Sequence, residues 1–497
     1  MTSSARLINT QVASPKPAAA KQLAHSPAVK LAAAAKSSAS VSAKQAGKTS
    51  APSAITIANL PKKSGDSNLD AVQAGGNSWW HTANAVATLS TNKITPNVVQ
   101  IDPSQSRHAL TYAFLGGSES FLTSEDQNGF AALDGGQKTA VKSAFDYLSS
   151  LINVSFTLAS DANSADIVLG SNQQANSAAY ASYPNTIGSP TKLLLANNGD
   201  SASNNSALHL GQQGTYGWQT LIHEIGHVMG LKHPGNYDAG GGGTPGPYLP
   251  TELDTRAQSI MSYNNPVGSK LLSVQGAANA RAYSYSYTLN NANPSTYGVF
   301  DIAALQYLYG ANQSANPSSP VTLSNSYADY QTLWAPKGVM LDASTTSRTN
   351  IFDLREGAHS SIGLKTKADY VRELTANLMA QNYKASDASV TANAVLKTNG
   401  LLSSLYNGRN NLALAYGSRY SQIEGGAGSD TFYASSYSTT IDGKGGSNKL
   451  YLMGSAKDWI IDQAKGTAVN ATTKAVISYK NIQSFAFYSA SSSLMHA

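Results

Sequence analysis

The chain has 497 residues, a length that allows two or more domains with sizeable cores. It contains no cysteine, which excludes disulfide bonds and zinc sites built from thiolates. It also contains no run of about 18 apolar residues, so no membrane-spanning helix is expected.

The formal net charge of +6 is distributed unevenly along the chain. Residues 1–65 hold nine Lys and Arg residues and no Asp or Glu, so this segment carries +9 and the remainder −3. The segment is rich in Ala, Ser, Lys and Pro and has too few large apolar residues to form a core. We expect a disordered basic leader or pro-segment over residues 1–65. A nucleic-acid-binding arm is the alternative, but the lysines are not interleaved with aromatic residues, so no nucleic-acid partner is expected.

Residues 66–106 are transitional between this leader and a folded domain. The stretch "NSWWHTAN" contains Trp79, Trp80 and His81. It indicates a further part of the pro-segment, or an N-terminal helix that docks against the next domain.

A sheet-forming pattern begins at about residue 107. The stretches "LTYAFL", "ADIVLG", "AAYASYP" and "KLLLAN" are typical of strands. Between the first two, Val141, Phe145 and Leu148 recur at three- and four-residue steps, which predicts an amphipathic helix from about Gln137 to Leu151. This order of elements predicts a mixed sheet with helices packed on it.

The stretch "HEIGHVMGLKH", His223 to His233, carries the chemistry. On a helix, His223 and His227 point to the same side because they are four residues apart. Gly230 tolerates the positive φ that ends the helix, so His233 can return to the same point. Three neutral imidazoles with an open fourth position are the ligand set of a catalytic zinc.

Glu224 follows the first histidine directly, so it can lie beside the metal without being a ligand. There it is placed to take a proton from water as a general base. The other interpretation is a core helix with incidental surface histidines. That interpretation requires the whole pattern H-E-x-x-H-x-x-G-x-x-H to arise by chance.

These eleven residues resemble the metzincin signature, and "SIMSY", Ser259 to Tyr263, resembles the Met-turn beneath the zinc. The "HPG" at the third histidine and the position of Tyr263, two residues after Met261, are similar to the serralysins, secreted bacterial metalloendopeptidases. The resemblance covers roughly residues 108–312 well and 350–450 patchily.

The resemblance implies an α+β protein. A metzincin catalytic domain with a mixed twisted sheet, helices and a zinc cleft would occupy residues 107–298. An all-β C-terminal domain similar to a parallel β-roll, with degenerate calcium repeats, would occupy residues 299–497.

The resemblance also implies roles for residues outside the zinc motif. Tyr263 would be a fifth, displaceable zinc ligand whose hydroxyl stabilises the tetrahedral intermediate, and Met261 would form the floor below the metal. An edge strand would pair with extended substrate through Ala178, Ala179, Tyr180 and Ala181. An open edge recognises backbone, which suits an enzyme acting on many peptides.

A calcium site is predicted in the C-terminal region. "GGAGSDTFY" matches the nonapeptide G-G-x-G-x-D-x-apolar-x of calcium-binding rolls, and a weaker copy, "GKGGSNKLY", begins 18 residues later. Two such turns could bracket one weakly held structural Ca²⁺, since Asn448 replaces the expected Asp. The residues of this predicted site are Gly425, Gly426, Gly428, Asp430, Gly443, Gly445 and Asn448.

Taken together, the sequence predicts a secreted, extracellular bacterial zinc endopeptidase, made as a zymogen and acting as a monomer on proteins and peptides. One alternative is a catalytically silent binding or adhesion protein that keeps zinc only as support. Another is a zinc hydrolase of non-peptide substrates. Glu224 argues against the silent protein, because a structural zinc needs no general base.

Overall fold

The structure is a computed structural model that describes residues 9–11, 21–22, 64, 66–74, 94–95, 98–99, 108–184, 190–237, 246–276, 285–489 and 493. Most of the predicted basic leader lies outside these residues. The same is true of the Trp79, Trp80 and His81 motif.

The elements follow one another along the chain in three groups. The first, before the predicted catalytic domain, comprises β1 (Asn9–Gln11), β2 (Lys21–Gln22), α1 (Ser67–Val72), β3 (Ile94–Thr95) and β4 (Val98–Val99). The second comprises β5 (His108–Phe114), α2 (Ser124–Gln127), α3 (Gly135–Leu151), β6 (Val154–Leu158), β7 (Ile167–Asn172), β8 (Ala179–Ala181), β9 (Thr191–Ala196), α4 (Gly199–Asn204), α5 (Ala207–Leu210), α6 (Tyr216–Val228), β10 (Lys270–Gly276), β11 (Tyr285–Asn291) and α7 (Val299–Tyr309). The third comprises β12 (Val321–Thr322), β13 (Gln331–Leu333), β14 (Val339–Asp342), β15 (Ile351–Asp353), β16 (His359–Ser360), α8 (Lys367–Ala380), α9 (Ala385–Leu396), α10 (Leu401–Ser404), β17 (Leu412–Leu414), β18 (Tyr420–Glu424), β19 (Thr431–Tyr433), β20 (Thr439–Asp442), β21 (Lys449–Met453), β22 (Trp459–Asp462), β23 (Thr467–Asn470), β24 (Val476–Lys480) and β25 (Ser484–Tyr488).

The predicted mixed sheet is confirmed. Its strand order is β2-β8-β9-β7-β5-β6, and β8 runs antiparallel to β9 while the other pairs are parallel. The predicted amphipathic helix is confirmed as α3, which begins slightly earlier than expected because Asp134 and Gln137 form a capping box at its start. Its apolar face, with Val141, Phe145 and Leu148, is buried in the core beside the sheet.

Two helices that are distant in sequence complete this first core. Helix α7 is buried along its whole length, and it packs against α1, whose Leu69 and Val72 belong to the same core. The predicted boundary at residue 299 puts α7 in the C-terminal domain, whereas its side chains pack with the catalytic sheet. Likewise, α1 lies within residues 66–106, which the sequence pattern places outside the catalytic domain, whereas α1 packs in the core of that domain.

The C-terminal region contains two largely parallel sheets. One has the order β12-β14-β18-β20-β24-β23-β22, and the other, β15-β19-β21-β25, is parallel throughout. Residues 18 apart pair in both sheets, as in Ile423 with Ile441 and Phe432 with Leu450. These side chains are buried in one core, as expected for turns that stack.

The expectation that the C-terminal region is all-β is wrong between residues 367 and 404, which contain α8, α9 and α10. Helix α8 starts at a Thr366–Asp369 capping box and buries Tyr370, Leu374 and Leu378 at four-residue spacing. This helical insertion packs on the β10–β11 hairpin, where it forms a third core. Among the described residues, no helix is both long and apolar enough to cross a membrane.

Candidate active site

The predicted zinc helix is α6. It ends just before the turn that brings the chain back to His233. The Thr215 hydroxyl accepts a hydrogen bond from the Trp218 N–H and caps the start of the helix. The helix ends at Val228, and Gly230 has φ +88°, the positive value expected of a glycine at this point.

The structure brings the three predicted histidines together. His233 Nε2 lies 3.2 Å from His223 Nε2 and 3.1 Å from His227 Nε2, and all three side chains are buried. They form the one group of three or more potential metal-binding side chains found in the described part of the chain.

Backbone carbonyls fix the tautomers of two of these rings. His223 Nδ1 donates to the Ile260 carbonyl at 2.9 Å, and His227 Nδ1 donates to the Leu231 carbonyl at 2.8 Å. A carbonyl can only accept, so Nδ1 carries the proton and the Nε2 lone pair faces the centre of the group. Burial lowers the pKa of His227 to about 4 and holds that of the other two imidazoles well below the usual value.

The donor set fits zinc. Neutral nitrogen lone pairs this close repel one another, and a shared cation removes that repulsion. Nitrogen ligands about 2.0–2.1 Å from a tetrahedral zinc lie roughly 3.3 Å apart, close to the spacing of the Nε2 atoms here.

Glu224 is fully buried beside this group. Neither of its carboxylate oxygens has a hydrogen-bond partner among the described residues. Burial raises the pKa of its carboxyl well above the usual value. A buried carboxyl without partners is costly for folding, and such groups are frequent at catalytic sites.

The predicted Met-turn runs beneath α6. Met261 is buried, and a Cβ added at Gly226 would lie 2.7 Å from its sulfur, so this glycine allows the close approach of helix and turn. The turn is held by Asp301 of α7. Its Oδ1 accepts from Ser259 Oγ at 2.5 Å, and its Oδ2 accepts from the N–H of Ile260 at 2.6 Å.

Asp301 was not predicted from the sequence as part of the site. The available signal is an Asp in the first turn of a mostly apolar helix. Burial raises the pKa of Asp301 to about 7, and its hydrogen bonds act in the opposite direction.

Tyr263 lies over the histidines. Its ring centroid is 4.5 Å from that of His233 and 6.1 Å from that of His223. Its ring is also stacked on that of Tyr237, at 4.8 Å with an interplanar angle of 11°. The Tyr237 hydroxyl donates to Asp254 Oδ1, which fixes the stacked ring. Sequence reasoning missed Tyr237, although it lies only four residues after the third histidine.

The segment predicted as an edge strand forms β8, with Ala178 directly before it, but β8 is not at the edge of the sheet because β2 pairs with it. Its Ala179, Tyr180 and Ala181 are buried, and the Tyr180 hydroxyl donates to Asp126 Oδ1 at 2.8 Å. One side of β8 pairs with β9, and the other pairs in parallel with β2, with Lys21 opposite Tyr180. The chain then leads to Tyr183, whose ring lies 5.7 Å from that of His227, so β8 runs up to the histidine group.

In the second predicted calcium turn, the backbone oxygens that would face a cation accept hydrogen bonds from Asn448. Asn448 Nδ2 donates to the carbonyls of Gly443 and Gly445, both at 2.8 Å, and of Asn481 at 2.9 Å. A cation and an NH₂ group cannot both occupy the position that these oxygens face. In the first turn, the glycines instead allow close packing, since a Cβ at Gly426 would meet Thr346 and one at Gly428 would meet the Arg348 carbonyl.

Comparison with known proteins agrees with this geometry. Residues 124–274 match the family model Reprolysin_5, described as metallo-peptidase family M12. The chain is 34% identical over 208 residues to "Metallopeptidase AprA" of Pseudomonas marginalis, an alignment that covers 41% of this chain and 40% of the relative. It is 32% identical over 234 residues to "Serralysin G" of Dickeya chrysanthemi (45% and 44%) and 31% identical over 254 residues to "Serralysin" of Proteus mirabilis (46% and 48%).

The histidine group therefore lies in a region that matches a metallo-peptidase family. The similarity to these relatives confirms the resemblance to the serralysins that the histidine motif and the Met-turn carry. The matched region spans less than half of the length of each of these relatives.

Proposed function

We propose that the protein is a zinc-dependent endopeptidase that cleaves proteins outside the cell. The observation that carries the proposal is the convergence of three neutral, buried imidazoles beside the buried carboxyl of Glu224. A site that used zinc only for support would gain nothing from that carboxyl, which costs folding free energy. The resemblance to the serralysins, a family of secreted enzymes, supports an extracellular location.

Each residue of the site has a defined task in this proposal. Zinc bound by the three histidines would supply Lewis acidity towards the scissile carbonyl and lower the pKa of water. Glu224 takes the proton of the attacking water and passes it to the leaving amine. The Tyr263 hydroxyl donates a hydrogen bond to the developing oxyanion. Its phenol stays protonated for this role, since burial raises the pKa of Tyr263.

The outer edge of β8 supplies the proposed substrate-binding surface. Its side chains are buried, so only backbone groups are presented to an added strand. An extended peptide that pairs with this edge would pass next to Tyr183 and reach the histidines. Backbone pairing recognises many sequences, as a broad endopeptidase requires.

A labelled-peptide or casein assay with and without o-phenanthroline tests the function. We expect hydrolysis that the chelator abolishes and added zinc restores. Zinc-loaded protein that cleaves no peptide would instead favour the silent binding protein, and cleavage of non-peptide esters alone would favour the other hydrolase.

Changing Tyr263 to Phe should lower kcat by roughly 10²–10³-fold with a smaller change in KM, because the hydroxyl acts on the transition state. Steady-state kinetics on a labelled peptide measures both constants. Tyr248→Phe is the control, since it removes one hydroxyl from an exposed ring that is not part of the histidine group. An effect of Tyr263→Phe confined to KM would assign the hydroxyl to substrate binding.

The leader should lower the activity of the full chain, because β2 occupies the edge of β8 that substrate would use. A chain that begins at Ser64 should show kcat/KM at least about tenfold higher than the full chain, as expected when a competing intramolecular strand is removed.

Gln22→Pro in the full chain is the matched variant. Proline lacks the N–H of the strand ladder, so this change should restore most of the activity without any cleavage. Equal activity of the full and shortened chains would contradict the proposed role of β2.

A further inference from the structure

A line of buried side chains connects the turns of the C-terminal sheets. It consists of Asn350, Asp430 and Asn448, which we call the turn ladder. The residues that follow them pair in register, Ile351 with Thr431 and Thr431 with Lys449. The three ladder side chains therefore occupy the same position in successive turns, and all three are at most 1% exposed.

The ladder joins each turn to its neighbour through the side-chain oxygen. Asn448 Oδ1 accepts from the N–H of Asp430, and Asp430 Oδ1 accepts from the N–H of Asn350, both at 2.8 Å. Asn350 Oδ1 in turn accepts from the N–H of Gly363 at 2.8 Å. The series continues below with Gln483, whose Oε1 accepts from the N–H of Asn448 at 2.6 Å. Amide and carboxylate side chains thus make the same inter-turn bond.

The amide nitrogens of the turn ladder donate hydrogen bonds to oxygens that would otherwise be available to a cation. Asn448 Nδ2 lies within 2.9 Å of three backbone carbonyls of two adjacent turns. Asn350 Nδ2 donates to Thr346 Oγ1 at 2.9 Å, to the Arg348 carbonyl at 3.2 Å and to Asp430 Oδ1 at 2.9 Å. Calcium requires six to eight oxygen ligands, and such carbonyls are among those it takes in proteins.

Asp430 is the one acid of the ladder. Both of its oxygens already accept hydrogen bonds, Oδ1 from Asn350 and Oδ2 from the N–H of Gly426. A Cβ added at Gly425 would lie 2.6 Å from Asp430 Oδ2 and 2.9 Å from the Gly443 carbonyl. A Cβ added at Gly443 would similarly lie 2.5 Å from Asn448 Nδ2 and 2.6 Å from the Asn481 carbonyl. Asp430 Oδ2 therefore occupies the same position in its turn as the donor atom Asn448 Nδ2 occupies in the next turn.

We propose that the C-terminal domain is folded independently of calcium, because the amides of Asn350 and Asn448 bind the turn oxygens in place of a cation. The ladder residues do not fit the calcium site implied by the resemblance. An asparagine at position 430 would give all three positions of the turn ladder an amide side chain. This inference concerns the C-terminal domain and does not depend on the proposed peptidase activity.

Calorimetry of the full chain, with zinc supplied and calcium removed by a chelating resin, tests the inference. Adding 5 mM CaCl₂, a concentration of roughly five to fifty times the Kd of extracellular calcium modules, should change the Tm of the C-terminal transition by less than about 1 °C. Titration calorimetry with CaCl₂ should show no saturable binding. A rise of several degrees in the Tm of the wild-type chain on adding calcium would by itself overturn the proposal.

Two substitutions distinguish folding that is independent of calcium from folding that depends on a calcium ion at Asp430, because each explanation predicts a different result. Asp430→Asn should keep or raise the Tm and remain indifferent to calcium, whereas a calcium site at Asp430 would lose its calcium response through this change. Asn448→Asp should lower the Tm in calcium-free buffer by roughly 5 °C or more, since a carboxylate then faces three carbonyls. Calcium should restore part of that loss. Asp462→Asn is the control, because Asp462 is an acid of the same domain that pairs with Lys465, outside the ladder. A stabilising response to calcium in the wild type that Asp430→Asn removes would be decisive against the proposal.

Discussion

Replacing Glu224 with alanine should leave about one zinc per chain and reduce peptide hydrolysis by roughly 10²–10⁴-fold through loss of the general base. The three imidazoles are untouched by this change, and two of them are oriented by backbone carbonyls rather than by the carboxyl. Thermal stability should stay the same or rise. Glu224 is buried and has no hydrogen-bond partner among the described residues, so its removal relieves a desolvation cost.

Three measurements on the same preparation separate the explanations: zinc content by elemental analysis, kcat/KM on a labelled peptide, and Tm. Glu224→Gln, of nearly equal shape, should show the same loss of rate. Glu252→Ala is the control, since Glu252 is an exposed carboxylate and its removal should change none of the three values. Undiminished hydrolysis by Glu224→Ala would refute the mechanism. Loss of zinc together with activity would assign Glu224 to metal binding instead.

The centre of the site is predictable because its determinants are local. His223 and His227 lie on one helix, and His233 returns through a turn that a single glycine at 230 permits. Eleven consecutive residues therefore contain the whole metal-binding geometry. Tyr263 lies some thirty residues further on. It could be placed over the histidines only through the family resemblance, because helical spacing says nothing about a distant turn.

The supports of the site depend on contacts between segments that are far apart in the chain. Asp301 holds the Met-turn from α7, and Tyr237 is fixed against Tyr263 by Asp254. No periodicity in the sequence indicates either pairing. The ladder shows a different difficulty. The sequence pattern predicts that Asn448 is a weak calcium ligand, and only the position of its NH₂ group near three carbonyls shows that it donates hydrogen bonds.

The helical insertion was predictable in part. Thr366 and Asp369 form a capping box, and the spacing of Tyr370, Leu374 and Leu378 is that of an amphipathic helix. The surrounding Gly-, Ser- and Asn-rich sequence favoured short strands and obscured this signal. The partner of the insertion, the β10–β11 hairpin, lies about a hundred residues away in the chain, as the 2.8 Å bond from the Gly276 N–H to Gln381 Oε1 shows.

A chain shortened to begin at Gly75 should lose most of its stability and zinc affinity, whereas a chain that begins at Ser64 should keep both. Helix α1 buries Leu69 and Val72 in the catalytic core. Burial of each side chain contributes about 1.5–3 kcal/mol. The segment also supports the return of the chain to the third histidine. The N–H of Lys232 donates to the Val72 carbonyl at 2.8 Å, and its buried ammonium donates to the Ala71 carbonyl at 2.6 Å.

Removal of α1 would therefore expose part of the core and leave Lys232, next to His233, with fewer acceptors for a buried charge. Thermal unfolding and zinc content of the two shortened chains measure the effect, and Leu69→Ala in the longer one should cost roughly 2–5 kcal/mol. Equal stability and zinc content of the two chains would show that α1 is dispensable. If the prediction holds, any cleavage that removes the basic leader from an active enzyme must lie before Asp66, whose side chain caps α1. The leader and α1 would then have different fates although they adjoin in sequence, because α1 contributes Leu69 and Val72 to the core of the catalytic domain.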